Sequence, residues 1–160
     1  MNFIQTKGKI KLFKEGNELP YDLLLLADET IDAINKYIHD SEIYTYELEG
    51  ETVGVYAYQL VGEDSIEIKN IAVSEKVQGE GIGQELLAHA IKNAKKRGFH
   101  YIFIGTANAA IKQLYVLQKM GFRFHEIRKN YYIEKYDQPM YEDGIQLNHQ
   151  LVLRKELNEI

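Results

Sequence analysis

Apolar residues recur in two rhythms along this 160-residue chain. Over residues 9–13 they alternate with polar ones, the period of a strand resting one face on a core. From Pro20 to about Ile38 the period lengthens. Leu23, Leu26, Ile31, Ile34 and Ile38 fall roughly on one helical face, and Asp28-Glu29-Thr30 can break the stretch into two helices. Three strand-like runs follow. Residues 44–48 and 52–60 are joined by Glu49-Gly50-Glu51, a hairpin signal, and Gly62-Glu63-Asp64 turns the chain into Ser65–Val73. In this last run Ile66 and Ile68 set one phase and Ile71 and Val73 another. The slip at Asn70-Ile71 is what a β-bulge or a local splay produces.

The second half reads strand, helix, strand, helix. Residues 81–97 carry Ile82, Leu86, Ala90 and Ala94 at helical spacing, flanked by Leu87 and Ile91, and Gly98 stops the helix. Residues 100–105 (HYIFIG) predict a strand buried on both faces. A further helix is expected over 108–120, ended by Gly121. Phe122 returns to strand, a tyrosine-rich loop follows (Tyr131, Tyr132, Tyr136, Tyr141), Asp143-Gly144 makes a turn, and residues 145–153 form the last strand. Hairpin strands, then strand–helix–strand–helix, then a closing pair imply an α/β (α+β) fold with a mixed sheet and helices on its faces. No repeat or linker divides the chain, so residues 1–160 are expected to form one domain.

Composition narrows the chemistry. There is no cysteine, which excludes a disulfide framework, a cysteine zinc site and a thiol nucleophile. Histidines 39, 89, 100, 125 and 149 are scattered without ligand spacing, so no metal is expected. Net charge is −5, and the densest basic group, Lys92 with Lys95-Lys96-Arg97, closes a helix where cations are favourable. Nucleic acid is therefore not an expected partner. The N-terminus lacks an apolar run of signal-peptide length, and the longest aliphatic run is Leu23-Leu24-Leu25-Leu26. A cytoplasmic protein without a membrane partner is the expectation.

The stretch that carries chemistry runs from Ile71 to Gln84. A strand ends, a short loop follows, and Gly79, Gly81 and Gly83 alternate at a helix start. Missing side chains let a ligand approach the backbone, and the free N–H groups and positive helix end attract an anion. The P-loop spacing with its Lys-Ser/Thr end is absent, and the dinucleotide fingerprint fails because its third glycine arrives one residue early.

This stretch resembles the signature of the GNAT acetyltransferase superfamily, Gln/Arg-x-x-Gly-x-Gly/Ala, matched by Gln78, Gly81 and Gly83 after the strand end Ile71-Ala72-Val73. A second element is similar too: HYIFIG, then Asn108, a helix and Lys119-Met120-Gly121-Phe122. The likeness covers about residues 43–123, and the closing segment is similar to small bacterial members. The resemblance implies a mostly antiparallel central sheet with splayed strands and acetyl-CoA as co-substrate. Its pyrophosphate would sit on backbone N–H groups of Gln78, Gly79, Glu80, Gly81, Ile82, Gly83 and Gln84. Its pantetheine would pair with Ile71, Ala72 and Val73 like an added strand. Asn108 would cap the next helix or touch the pantetheine. The implied activity is N-acetylation of an amine, on a small molecule or a peptide, with pairing of C-terminal strands into a homodimer as a further implication. A coenzyme-binding regulatory module without turnover is the alternative.

An attacking amine must be neutral, so a base has to take its proton. The resemblance places that base at Glu67, on the strand that carries Ile71. The resemblance implies a tyrosine in the helix after Asn108 as the acid that protonates the coenzyme thiolate. Counting seven residues forward from Asn108 reaches Tyr115, whereas counting four back from Gly121 reaches Leu117. Two residues are about 200° apart around a helix, so one of them faces the sulfur and the other does not. The tyrosines at 131–141, together with Tyr44, Tyr46, Tyr56 and Tyr58, are candidates for an aromatic acceptor pocket suited to a hydrophobic or cationic amine. His89 is expected at a surface or half-buried position.

Overall fold

The computed structural model describes residues 8–158; the N-terminal segment read above as lacking a leader lies largely outside them. Seven strands form one sheet in the order β1-β2-β3-β4-β5-β9-β6. They are β1 (Lys9–Leu12), β2 (Glu42–Leu48), β3 (Glu51–Val61), β4 (Ser65–Val73), β5 (Tyr101–Ala107), β6 (Arg123–Arg128) and β9 (Gln150–Glu156). Only β4 and β5 pair in parallel; every other neighbouring pair is antiparallel. A short hairpin, β7 (Tyr141–Glu142) and β8 (Ile145–Gln146), stands apart. The expected mixed, mainly antiparallel sheet is what forms.

Helices cover the two faces unequally. The long helix α3 (Ile82–Lys96) and α4 (Ile111–Lys119) bury Ile82, Leu86, Ala90 and Leu117 against Ile66, Ile68, Ile102, Ile104 and Leu153. On the other face α1 (Tyr21–Ala27) and α2 (Ile31–Asn35) pack Leu24 and Ile34 on Val55, Ala57 and Ala72. As expected the helical stretch breaks at Asp28-Glu29-Thr30, where the Thr30 hydroxyl accepts from the Ala33 N–H and caps α2.

Four sequence readings change. Tyr44, Tyr46, Tyr56 and Tyr58 do not reach an acceptor pocket; Tyr46, Tyr56 and Tyr58 are fully buried in the core cluster that includes α3, with Tyr44 packed against it. Their hydroxyls are satisfied inside that core: Tyr56 lies 2.8 Å from His89 Nδ1, and Asn93 Nδ2 donates to Tyr44 and Tyr58. Partners for each hydroxyl make such rings core material. The tyrosine-rich loop contains a helix, α5 (Tyr131–Lys135). The last strand starts at Gln150, because residues 147–149 are diverted into contacts with the β5–α4 and β6–α5 connections. Finally, β5 is not buried on both faces. Ile102, Ile104 and Thr106 are buried, but Tyr101, Phe103 and Gly105 are only half-covered, since neither α1 nor α2 reaches this half of the sheet.

Candidate active site

The site begins with a fault in the sheet. Ala57 pairs with Asn70 and Tyr58 with Ile68, so Lys69 is an extra residue bulged out of β4. A bulge bends its strand, and beyond it β4 leaves β5: their pairing runs from Ser65↔Tyr101 to Ile68↔Ile104 and stops. β5 continues to Ala107 with β9 alone. The Ser74 N–H donates to Val53 O on the β3 side. By the alternation of an antiparallel ladder, Ala72 also faces β3, whereas Ile71 and Val73 turn their N–H and C=O groups into the gap. The Val73 carbonyl there accepts from Gln78 Nε2 at 3.2 Å. Gln78 thus spends its side chain on fastening the glycine turn to the strand end.

The turn is shaped by backbone conformation. Gly79 and Gly81 have φ of +85° and +86°, and a Cβ at either would meet nothing within 4 Å. The left-handed backbone demands glycine there, not crowding. Gly81 is the N-cap residue of α3 and supplies no side-chain cap. Glu85 N–H bonds to Gly81 O, so the N–H groups of Ile82, Gly83 and Gln84 are the orphan donors of the first turn. Gly83 faces the strand end, its absent Cβ 3.7 Å from Val73 Cγ2.

This edge and turn border a cleft of about 1110 Å³. Ile71, Ala72, Val73, Gly79, Gly81, Gly83 and Gln84 form one wall, and α4 forms the other with Lys112, Tyr115 and Val116. Both residues of the two tyrosine counts border this cleft, Tyr115 with 62% of its surface exposed and Leu117 1% exposed at the core. Asn108 is not a helix cap. The N-cap of α4 is Ala110, and Asn108 instead donates to Gln146 O and accepts from Asn148 N–H, tying the β5–α4 connection to the β7–β8 hairpin.

A second cleft, about 450 Å³, opens on the opposite face of the fault. Its walls are Leu26 and Ala27 at the end of α1 with Glu29 beyond, Tyr132 of α5 with Tyr136 just after that helix, and Tyr141 and Glu142 of the hairpin with Leu147 following it; Lys69 and Asn70 lie on its floor. Ile71, Ile104, Ala110, Gln113 and Glu142 border both clefts, so the two meet through the gap between β4 and β5. Asn70 Nδ2 donates to Leu24 O and to the Tyr37 hydroxyl, whereas Asn70 Oδ1 has no partner among the described residues. The Tyr37 and Tyr136 hydroxyls and Lys135 converge on buried Asp28. Burial, then Asp28, push the Tyr136 hydroxyl well above its usual range, and burial raises Tyr132 to about 12.

Glu67 lies beneath this floor, 4% exposed. Lys69 Nζ approaches its Oε2 at 2.5 Å and Arg128 Nη2 its Oε1 at 3.2 Å. It is not a solvated carboxylate, and it borders neither cleft. Sequence reasoning did not single out Asp28, Lys69, Arg128 or Glu142; the Asp143-Gly144 turn was the signal that set Glu142 at a hairpin. Among the described residues no cluster of His, Asp or Glu is placed to hold a metal ion, and no helix is long and apolar enough to cross a membrane.

Known proteins share this arrangement. The sequence model of the acetyltransferase (GNAT) family matches residues 11–122. An uncharacterized N-acetyltransferase of Bacillus subtilis, YvbK, is 42% identical over 140 residues, spanning 88% of this chain and 90% of its own length. A GNAT family acetyltransferase from Elizabethkingia anophelis, solved with acetyl-CoA bound, superposes with a TM-score of 0.91 at 40% identity over 94% of this chain and 98% of its own. A Bacillus subtilis acetyltransferase solved in complex with CoA gives 0.88 at 40% identity over 94% and 99%. With the glycine turn, the open strand edge and these likenesses together, the chain belongs to the GNAT family of acetyltransferases.

Proposed function

We propose that this protein is a cytoplasmic enzyme that moves the acetyl group of acetyl-CoA onto the primary amine of a small cationic molecule. The single observation that carries the reading is the pair of clefts meeting at the open edge of β4. Two substrates can reach one point from opposite faces of the sheet, as direct transfer requires.

The residues fit the co-substrate. Main-chain N–H groups at 79–84 offer donors to a diphosphate. Ile71 and Val73 offer an unpaired strand edge to the amide groups of the pantetheine arm. When bound, acetyl-CoA supplies a thioester carbon open to attack. The Ile71 N–H faces the gap where a developing oxyanion would be stabilised, and Tyr115 presents its hydroxyl in the same cleft as the proton donor for the departing sulfur. Asn108 acts by holding the hairpin over the gap. Glu67 acts through Lys69, which it fixes on the acceptor-cleft floor.

The acceptor class rests on the lining of the smaller cleft. Among the described residues Glu29 and Glu142 have no ion pair and Asn70 Oδ1 has no donor, and the rings of Tyr132 and Tyr136 stack at 6.3 Å. Carboxylates and aromatic rings favour a cation. The open edge of β6, with Phe124 and Ile127 exposed, supports pairing with a second copy.

The test is thiol release from acetyl-CoA with a panel of mono- and diamines, amino acids and peptides, beside thermal shifts with acetyl-CoA and with ATP. The reading expects release with a cationic small amine and stabilisation by acetyl-CoA alone. Tight acetyl-CoA binding with no release for any amine would favour a binding module instead.

A further inference from the structure

Among the described residues five border both clefts: Ile71, Ile104, Ala110, Gln113 and Glu142. Three are aliphatic, and the Gln113 carboxamide accepts from the Thr106 hydroxyl and is not a base at neutral pH. Glu142 alone brings a proton acceptor to the place where the substrates meet. Resting on the acetyl-transfer reading, we infer that Glu142 is the catalytic base, and that Glu67 is a positioning residue.

The fold supports that assignment. Glu142 ends β7, and the turn after it has positive φ at both Asp143 (50°) and Gly144 (81°), the geometry of a tight two-residue hairpin. The hairpin is fixed at its base by Leu147 N–H on Met140 O and by both ends of the Asn108 carboxamide. Its position over the passage is therefore set by these bonds, none of which uses the Glu142 side chain. Among the described residues its carboxylate has no ion pair and no hydrogen bond, whereas both oxygens of Glu67 are taken by cations. Of the cations near the passage, Lys69 is held by Glu67, and Lys112 lies on α4 in the coenzyme cleft.

The step balances as follows. The acceptor arrives as an ammonium ion, and Glu142 takes one proton and later returns it to solvent. The freed lone pair forms the C–N bond to the acetyl carbon. The C–S bond breaks with its electron pair passing to sulfur. The second proton passes from the nitrogen to water as the amide forms, and the Tyr115 hydroxyl gives its proton to sulfur and regains one from water. The products are the N-acetyl amine, the thiol and one proton.

The experiment compares Glu142→Gln, Glu142→Asp and Glu67→Gln in the full chain, using the amine of the panel that releases most thiol. Glu142→Gln should lower kcat/KM for the amine by about 100-fold or more, with the KM for acetyl-CoA within about threefold and the melting temperature unchanged. Glu142→Asp should recover part of the rate. Glu67→Gln should lower the melting temperature, since it weakens the pairing of Lys69 and Arg128. A Glu142→Gln enzyme within about threefold of wild type, a range too small for loss of a general base, overturns the proposal while leaving acetyl transfer intact. Equal weakening of acetyl-CoA binding overturns it also, by making the residue a coenzyme contact. A wild type inert toward every amine removes the transferase reading, and the base with it.

Discussion

Replacing Gly83 with alanine should make the free protein more stable and the coenzyme complex weaker. Gly83 lies in the first turn of α3 with an ordinary helical φ, and an added methyl group would meet only Val73 Cγ2 at 3.7 Å, a normal contact. Nothing in the protein therefore requires glycine. Alanine is favoured over glycine inside a helix by about 0.5–1 kcal/mol. For a chain of this length that corresponds to a rise in melting temperature of roughly 1–4 °C. The same methyl group would project into the cleft beside the N–H groups of Ile82, Gly83 and Gln84. Losing one or two charge-assisted bonds to a diphosphate costs about 1.5–3 kcal/mol each, a loss of roughly tenfold to more than a hundredfold in affinity. Differential scanning fluorimetry of the free protein and titration calorimetry with acetyl-CoA measure the two effects separately. A variant that binds acetyl-CoA within about twofold of wild type, far below the loss of a single such bond, would refute the reasoning. So would a free protein that loses stability, since that would mean the glycine serves the fold.

Three other outcomes are expected. Tyr115→Phe should lower kcat by about tenfold or more with the KM for acetyl-CoA little changed, because an exposed hydroxyl is lost as proton donor and the packing of α4 is not; stopped-flow thiol release checks it. Asp28→Ala should destabilise the protein by about 3 kcal/mol in urea unfolding, since it leaves the half-buried Lys135 and two tyrosine hydroxyls without their buried partner. His89 has its pKa lowered by burial and then by Lys92, so its contribution to stability is present above the unfolded value near 6.5 and is lost as pH falls through the lower folded value. His89→Gln should flatten the dependence of urea-unfolding stability on pH below neutrality.

The elements proposed to hold the coenzyme were legible because each is local. Glycine spacing announces the turn, and the phase slip in β4 announces the bulge. The bulge falls at Lys69, beside the expected Asn70-Ile71, because burial phase reports a bulge only after the chain has passed it. The choice between Tyr115 and Leu117 needed the true start of α4 at Ile111, and local propensity does not see that Asn108 is engaged by the distant 146–148 segment. The tyrosines divided by face: those of β2 and β3 went under α3, whereas Tyr132, Tyr136 and Tyr141 line the smaller cleft and Tyr131 does not. That division depends on which face each helix covers, a tertiary fact. Glu142 was invisible as chemistry for the same reason. A glutamate before Asp-Gly reads as a hairpin tip, and only the tertiary placement of the hairpin sets it at the border of both clefts.

The account stands on main-chain amides, and hydrogen–deuterium exchange reads those directly. On adding acetyl-CoA, the amides of residues 79–84 together with Ile71 and Val73 should become protected, while those of Ala72 and Ser74, already directed to β3, should change little. Exchange at the turn and at the β4 edge that is unmoved by saturating acetyl-CoA, with protection appearing elsewhere, would contradict it.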